Sequence, residues 1–250
     1  MASWGAPVDE LAHFAELRHR LRGWVEALYD ALLPQECAVC GTLEGPGSLA
    51  GLCSGCCSSI ERWPGAAEGD SRAVVAARFR PPVRDLVLGL KYAGRREAAI
   101  PLAALIASAA DPAELRRRVD ALVPIPSHPL KRWSRGLDPA EEIAAALADM
   151  IGVPCKRGLV RTRRTQAQGQ ARSARQRARQ VAGAFRALGW VEGRRIALVD
   201  DVLTSGATAS AAREALEQRG ATVPRVLAAA GHPWSPERAS SRSSRMSRRN

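Results

Sequence analysis

Aromatic side chains are scarce, with Trp, Tyr and Phe together making up 4% of the 250 residues. A core must then be assembled from Ala, Leu, Val and Ile. An aromatic stacking platform for single-stranded nucleic acid has little to be built from, although Trp63 and Trp133 are available. Long apolar runs are missing too. The best one, residues 98–110, falls short of the roughly 18 residues a membrane span requires and contains Pro101. At the amino terminus Asp9 and Glu10 precede any basic residue and no apolar stretch follows, so no Sec-type signal peptide is expected. Neither a Gly-Lys-Ser/Thr phosphate loop nor a G-x-G-x-x-G turn occurs. What is present is ordinary for a globular chain, 46% hydrophobic and 25% charged, which excludes wholesale disorder. At ~150 residues per domain, the length accommodates one full domain and a small one. The expectation is a soluble, cytoplasmic protein.

The net charge of +12 is unevenly placed. Residues 156–180 hold Lys156 and eight arginines with no acid, contributing +9, and residues 235–250 contribute +4, which leaves the remainder close to −1. The Ser/Arg-rich tail, residues 233–250, reads as a disordered, solvated segment. The internal run suits a phosphorylated ligand or a polyanion.

Six cysteines occur, and four of them fall as Cys37-x2-Cys40 and Cys53-x2-Cys56. Each pair can present two thiolates from one tight knuckle, and two knuckles close a tetrahedral Zn²⁺ site. Two disulfides are the rival reading, disfavoured by the cytoplasmic setting. Four protein ligands leave no open position, so the expected Zn²⁺ is structural. Cys57 and Cys155 read as ordinary thiols.

Patterning divides the chain into four parts. Residues 1–33 contain an amphipathic helix over 8–33, with Leu11, Phe14, Leu17, Leu21, Val25, Leu28 and Leu32 at helical spacing. Residues 34–62 form the zinc-binding module, and a Pro/Gly-containing boundary follows at 63–70. Residues 73–232 alternate strands (74–79, 121–125, 195–199, 223–229) with helices (83–92, 98–110, 139–151, 209–219), the last helix closed by Gly220. Residues 233–250 are the tail. Strands alternating with helices of ten or more residues predict an α/β fold with a parallel sheet flanked by helices.

Residues 194–208 carry the chemistry. An apolar strand ends in Asp200 and Asp201 and is followed by a small, hydroxyl-rich loop, Thr204-Ser205-Gly206-Ala207-Thr208, that opens a helix. Ligands of open α/β sheets bind beyond the carboxyl ends of strands, and a helix amino terminus offers free N–H groups to a phosphate. The two acids can accept from ribose hydroxyls or help hold Mg²⁺.

The run Val-Asp-Asp-Val-Leu-Thr-Ser-Gly-Ala-Thr (199–208) resembles the phosphoribosyl pyrophosphate (PRPP) signature of type I phosphoribosyltransferases. Other blocks resemble the ComF family, phosphoribosyltransferase-like proteins linked to competence and DNA uptake. They are Leu-Leu-Pro-Gln-Glu-Cys-Ala-Val-Cys-Gly at 32–41, residues 79–95, Val123-Pro-Ile-Pro with His128-Pro and Arg135-Gly136, and Arg163-Arg-Thr-x-x-Gln168 with Gly183-Ala-Phe185. These blocks run in order over residues 32–230. Two departures stand out: Leu137-Asp138-Pro139 where the family has Phe-Asn-Gln, and Gln180 where it often has Asn. The first puts a negative charge and a rigid ring beside the pyrophosphate loop.

The resemblance implies a type I phosphoribosyltransferase-like sheet and a division of roles. Asp200 and Asp201 are implied to meet the ribose hydroxyls, Thr204, Ser205, Gly206, Ala207 and Thr208 to hold the 5-phosphate, and Mg²⁺ to accompany PRPP. Lys131, Arg132 and Arg135 would contact pyrophosphate. The basic segment 161–179, with Arg163 and Arg164, would correspond to a mobile lid that excludes water. His128 reads as a loop residue, and no general base stands out. Three functions follow as expectations: transfer of phosphoribosyl to an acceptor, PRPP or nucleotide binding without turnover, and single-stranded DNA or competence-machinery binding.

Overall fold

The computed structural model describes residues 36–43, 49–64, 72–127, 136–162 and 183–232. In chain order these form a short helix α1 (Ser54–Ser58), β1 (Ala73–Arg78), α2 (Val83–Tyr92), α3 (Ala99–Ala109), α4 (Pro112–Arg118) and β2 (Ala121–Pro124). There follow α5 (Pro139–Ile151), β3 (Leu159–Arg161), β4 (Phe185–Ala187), β5 (Arg195–Leu203), α6 (Ala207–Gln218) and β6 (Thr222–Gly231). Four strands make a wholly parallel sheet in the order β1-β6-β5-β2, and β3 and β4 form a separate antiparallel pair.

A parallel sheet covered on both faces needs strands that are apolar throughout rather than alternating. Strand β2 is buried at all four positions, and β5 is buried from Ile196 to Val199. Side chains of successive residues then supply opposite faces. Ala197 and Val199 of β5 join the cluster formed with Leu86 and Leu90 of α2, Leu102 and Leu105 of α3, and Ile143 and Leu147 of α5. Ile196 and Leu198 join the other cluster, with Ala209, Ala212 and Leu216 of α6 and Leu159 and Phe185 of the hairpin. Small and aliphatic side chains fill both layers, as the shortage of aromatics requires.

Local signals explain the element ends. Helix α5 begins with Pro139 in its first turn, carries Glu141 and Glu142 where the helix dipole favours acids, and stops at Gly152 with φ +67°. The expected helices over 83–92 and 139–151 coincide with α2 and α5. The expected helix over 98–110 is α3, entered through a 3-10 turn at Arg96–Ala98. The strand expected to stop at 199 continues to Leu203, because β6 keeps supplying ladder partners as far as Gly231. Asp200 and Asp201 therefore lie within the paired strand rather than beyond it. Helix α4 and the β3–β4 hairpin were not among the expected elements. Strands of three residues show too little alternation to be read. Helix α4, in contrast, carries a plain start signal: Asp111 caps it by accepting from the Ala113 amide at 2.9 Å, with Pro112 next.

The cysteine segment packs onto this domain. Cys37, Ala38, Leu49, Leu52 and Cys53 are buried in the same apolar cluster as α2 and α3, and Arg95 donates to the Ala38 carbonyl at 2.6 Å. The helix expected over 8–33 and the tail 233–250 lie outside the described residues. Among the described residues no single helix is long and apolar enough to cross a membrane.

Candidate functional site

The site lies at the carboxyl end of β5. Asp201 follows Ala197 and Val199 in the alternation and is buried on the α2 side of the sheet. There it meets Lys91 from the last turn of α2, with Nζ 2.7 Å from Oδ2. Asp200 belongs to the opposite face, and its Oδ1 accepts a hydrogen bond from the Asp201 amide at 2.9 Å. Burial, and then the neighbouring Asp201 charge, push the Asp200 carboxyl up to about 8; Asp138 adds to this, and Lys91 works against it. Arg161 of β3 stands within electrostatic reach of Asp200 and Asp138 and lies 5.3 Å from the Phe185 ring centroid. Its own pKa is lowered by burial.

Beyond β5 the chain turns sharply. Gly206 adopts φ +70°, which favours glycine, and is the residue from which α6 starts. No side chain caps the first turn of α6, so its amino end still offers backbone donors. A side chain at Gly206 would meet no atom within 4 Å, so the space over the turn is open. Thr204 and Ser205 precede the turn, and Ala207 and Thr208 lie in the first turn of the helix.

A second loop approaches from β2. Ser127 donates from its amide to Asp138 Oδ2 at 2.8 Å and from its hydroxyl to Asp138 Oδ1 at 3.0 Å. The acid that replaces Asn in the family pattern thus ties the entry of the 127–138 segment to its exit. Asp138 is buried, one of two buried charged residues among those described, Asp201 being the other. Lys131, Arg132, Arg135, Arg163 and Arg164, together with His128 and Trp133, lie outside the described residues.

The four cysteines meet elsewhere. The Sγ atoms of Cys37, Cys40, Cys53 and Cys56 all lie within 4.8 Å of one another, and those of Cys40 and Cys53 are 3.7 Å apart. Zn–S bonds of about 2.3 Å in a tetrahedron require sulfurs about 3.8 Å apart, so the donor set fits Zn²⁺. Burial opposes ionisation of Cys37, but the amides of Cys40, Cys53 and Val39 outweigh it and bring its pKa to about 6. A thiolate is therefore favoured at one ligand position before any metal is considered.

The acids at 200 and 201, the loop at 204–208 and the cysteine quartet are thus placed in two separate assemblies. Lys91 and Arg161 join the acid site without having been singled out from sequence, and Asp138, which the sequence marked as a charge beside the pyrophosphate loop, joins it as well. Lys91 did carry a signal: it lies four residues after the buried Val87, on the flank of the apolar stripe of α2, where a lysine is less free than on the solvent face.

Known proteins resemble the chain in the same parts. Residues 103–245 match the family described as the phosphoribosyl transferase domain. The chain is 29% identical over 193 residues to the DNA utilization protein YhgH of Salmonella typhi, covering 76% of this chain and 81% of that protein. It is 30% identical over 163 residues to the protein of the same name from Escherichia coli O6:H1, covering 62% and 70%. It is 25% identical over 197 residues to Competence protein F of Haemophilus influenzae, covering 68% and 86%. Among solved structures, the allosteric regulatory enzyme of purine biosynthesis is similar over 51% of this chain and 24% of its own, at TM-score 0.35 and 23% identity. Orotate phosphoribosyltransferase from Aeropyrum pernix is similar over 57% and 74%, at TM-score 0.31 and 18% identity. With a parallel sheet, an acid pair leading into an uncapped helix, and a cysteine quartet fit for zinc, the chain belongs to the phosphoribosyl transferase domain family, among its ComF-type members.

Proposed function

We propose that this protein binds PRPP together with Mg²⁺ at the carboxyl end of β5 and serves in DNA uptake or utilization. The observation that carries the reading is the continuity of Asp200 and Asp201 with an open, uncapped helix start at Gly206. The turn 204–208 holds the 5-phosphate through backbone amides and the hydroxyls of Thr204, Ser205 and Thr208. Asp200 and Asp201 line the ribose side. Their hard carboxylate oxygens suit Mg²⁺, which takes one or two protein carboxylates and otherwise keeps substrate phosphates and water. When bound, Mg²⁺ neutralises charge on the pyrophosphate oxygens. Lys131, Arg132 and Arg135 are assigned to pyrophosphate, and Arg163 and Arg164 to a basic lid that excludes water, on the family resemblance alone, since all five lie outside the described residues. The cysteine module, residues 34–62, holds a structural Zn²⁺ and takes no part in chemistry.

The reaction this arrangement suits is phosphoribosyl transfer. The bond from ribose C1 to the pyrophosphate oxygen breaks, its electron pair leaving with pyrophosphate. A nucleophilic acceptor bonds to C1 and releases a proton. Binding without turnover is the second reading, favoured by Asp138-Pro139 in place of Asn-Gln beside the pyrophosphate loop. A single-stranded DNA role through the arginines rests on the names of the relatives, DNA utilization protein and Competence protein F. Equilibrium dialysis with labelled PRPP tests the shared core of these readings. Retention that requires Mg²⁺ and disappears in Asp200→Asn is expected. Retention unaffected by that substitution would move the site elsewhere. Pyrophosphate release on adding nucleobases would then separate transfer from binding alone.

A further inference from the structure

We propose that Asp138 is a specificity-determining residue that turns the site against pyrophosphate. The sugar-phosphate half of a ligand then counts for more than its pyrophosphate half. The ligand class this favours is a 5-phosphorylated ribose without pyrophosphate, such as a nucleoside 5′-monophosphate. The inference rests on the proposed phosphoribosyl site and narrows what that site retains.

Two helices start beyond the carboxyl ends of neighbouring strands, α6 after β5 and α5 after β2. Their starts are built in opposite ways. Helix α6 opens at Gly206 with no acid in its first turn and no capping side chain. Helix α5 opens with Asp138 at its N-cap, then Pro139, which has no N–H, and carries Glu141 and Glu142 in its first turn. A helix amino end favours an anion, and α5 already supplies three of its own. Glu142 has Arg96 at 3.8 Å, and Glu141 is paired with Arg157. Asp138 is held differently. It is 3% exposed, does not cap its own helix, and accepts from the Ser127 amide at 2.8 Å and the Ser127 hydroxyl at 3.0 Å.

The donors that Asp138 takes are those an incoming anion would meet first. Past β2, the Ile125 amide donates to the Val199 carbonyl at 2.9 Å, and Pro126 has no N–H. Ser127 is therefore the first residue beyond that strand whose amide could turn to a ligand, where open α/β sheets bind theirs. An internal carboxylate fills that position. Because it is buried, it contributes negative charge without offering its oxygens to a cation. Asp200 lies within its electrostatic reach, as do Arg161 of β3 and Arg157, two residues before β3. The two arginines temper the charge. A diphosphate placed against the end of β2 still meets a fixed anion at short range, whereas a phosphate on the turn at Gly206 meets free backbone donors.

Titration calorimetry of the full chain in the presence of Mg²⁺ tests this with ribose 5-phosphate, inorganic pyrophosphate and PRPP as probes. In the wild type, PRPP should bind no more than about threefold tighter than ribose 5-phosphate, and inorganic pyrophosphate should bind most weakly. Asp138→Asn keeps the shape and the contacts to Ser127 while removing the charge. It should strengthen PRPP and pyrophosphate about tenfold and leave ribose 5-phosphate within about twofold. Ser127→Ala keeps the charge and loses one hydrogen bond, so it should strengthen neither by more than about twofold. Wild-type binding of PRPP more than about tenfold tighter than ribose 5-phosphate would overturn the inference, and that comparison needs no variant to fold. So would an unchanged pyrophosphate affinity in Asp138→Asn, an equal gain for ribose 5-phosphate, or the same gain in Ser127→Ala. In each of these cases the phosphoribosyl reading would stand. A wild-type protein that bound neither ribose 5-phosphate nor PRPP would overturn the functional reading, and this inference with it.

Discussion

The cysteine quartet and the acid site differ in how complete they are. Four sulfurs within 4.8 Å of one another close a tetrahedron and leave no position for a substrate. At the end of β5, by contrast, the turn at Gly206 is open, the first turn of α6 is uncapped, and Asp200 keeps a carboxyl raised to about 8. A site saturated by its own side chains stabilises a fold. A site with unspent donors and a carboxyl reluctant to ionise is built for something that arrives from outside. The two are linked through α2: its neighbour Arg95 holds the Ala38 carbonyl of the knuckle, and Lys91 holds Asp201.

The largest expected effect lies on the closed side of that comparison. Cys53→Ala should abolish stoichiometric zinc by elemental analysis. Because Cys53 shares its apolar cluster with α2 and α3, the loss should also lower Tm by on the order of 10 °C, corresponding to roughly 3 kcal/mol for a chain of this size. A metal-free wild-type protein of unchanged Tm would remove the distinction between the two sites. On the open side, Asp200→Asn should weaken Mg·PRPP by about 100-fold, since a half-buried anionic acceptor for the cation and ribose is lost. Its zinc content should not change.

Gly206→Val comes next, with about a tenfold loss of affinity. A β-branched residue at φ +70° strains the turn, and its side chain would project into the open space assigned to the phosphate. Unaltered binding would mean that the phosphate sits elsewhere.

A last effect, on stability rather than on ligand affinity, sharpens the comparison through pH. Asp200 is raised above its ordinary value of 3.8 to about 8. Between those limits the folded state therefore holds a proton that the unfolded state has released, and this group's contribution to stability falls as pH rises from about 4 to 8. Asp200→Asn should flatten that slope, so that the variant gains stability relative to wild type as pH rises from 5 to 8 in thermal melts without ligand. A slope that survives the substitution would place the titrating group elsewhere.

Much of the architecture was legible because its signals are local. The span 139–151 announces itself by Pro139, two early acids and Gly152, and the doubled Cys-x2-Cys spacing leads directly to the quartet. The acid pair and the glycine turn follow one another within nine residues. What escaped reading depends on distance or brevity. Lys91 and Asp201 lie 110 positions apart in the chain, and only the packing of α2 on β5 brings them together. Asp138 read as a charge intruding beside the pyrophosphate loop, whereas both its oxygens accept from Ser127. Strands β3 and β4, three residues each, pair across 23 intervening residues, too few and too far apart to register as a pattern.

The most direct test of the central claim is calorimetric titration of the wild-type chain with Mg·PRPP at pH 7, repeated in buffers of different ionisation enthalpy. A cation and ribose bound by Asp200 require the carboxylate, and burial together with the neighbouring Asp201 charge opposes its ionisation in the free protein. Saturable 1:1 binding that requires Mg²⁺, with net release of protons, is therefore predicted. Binding that does not require Mg²⁺, or no binding at all, would contradict it.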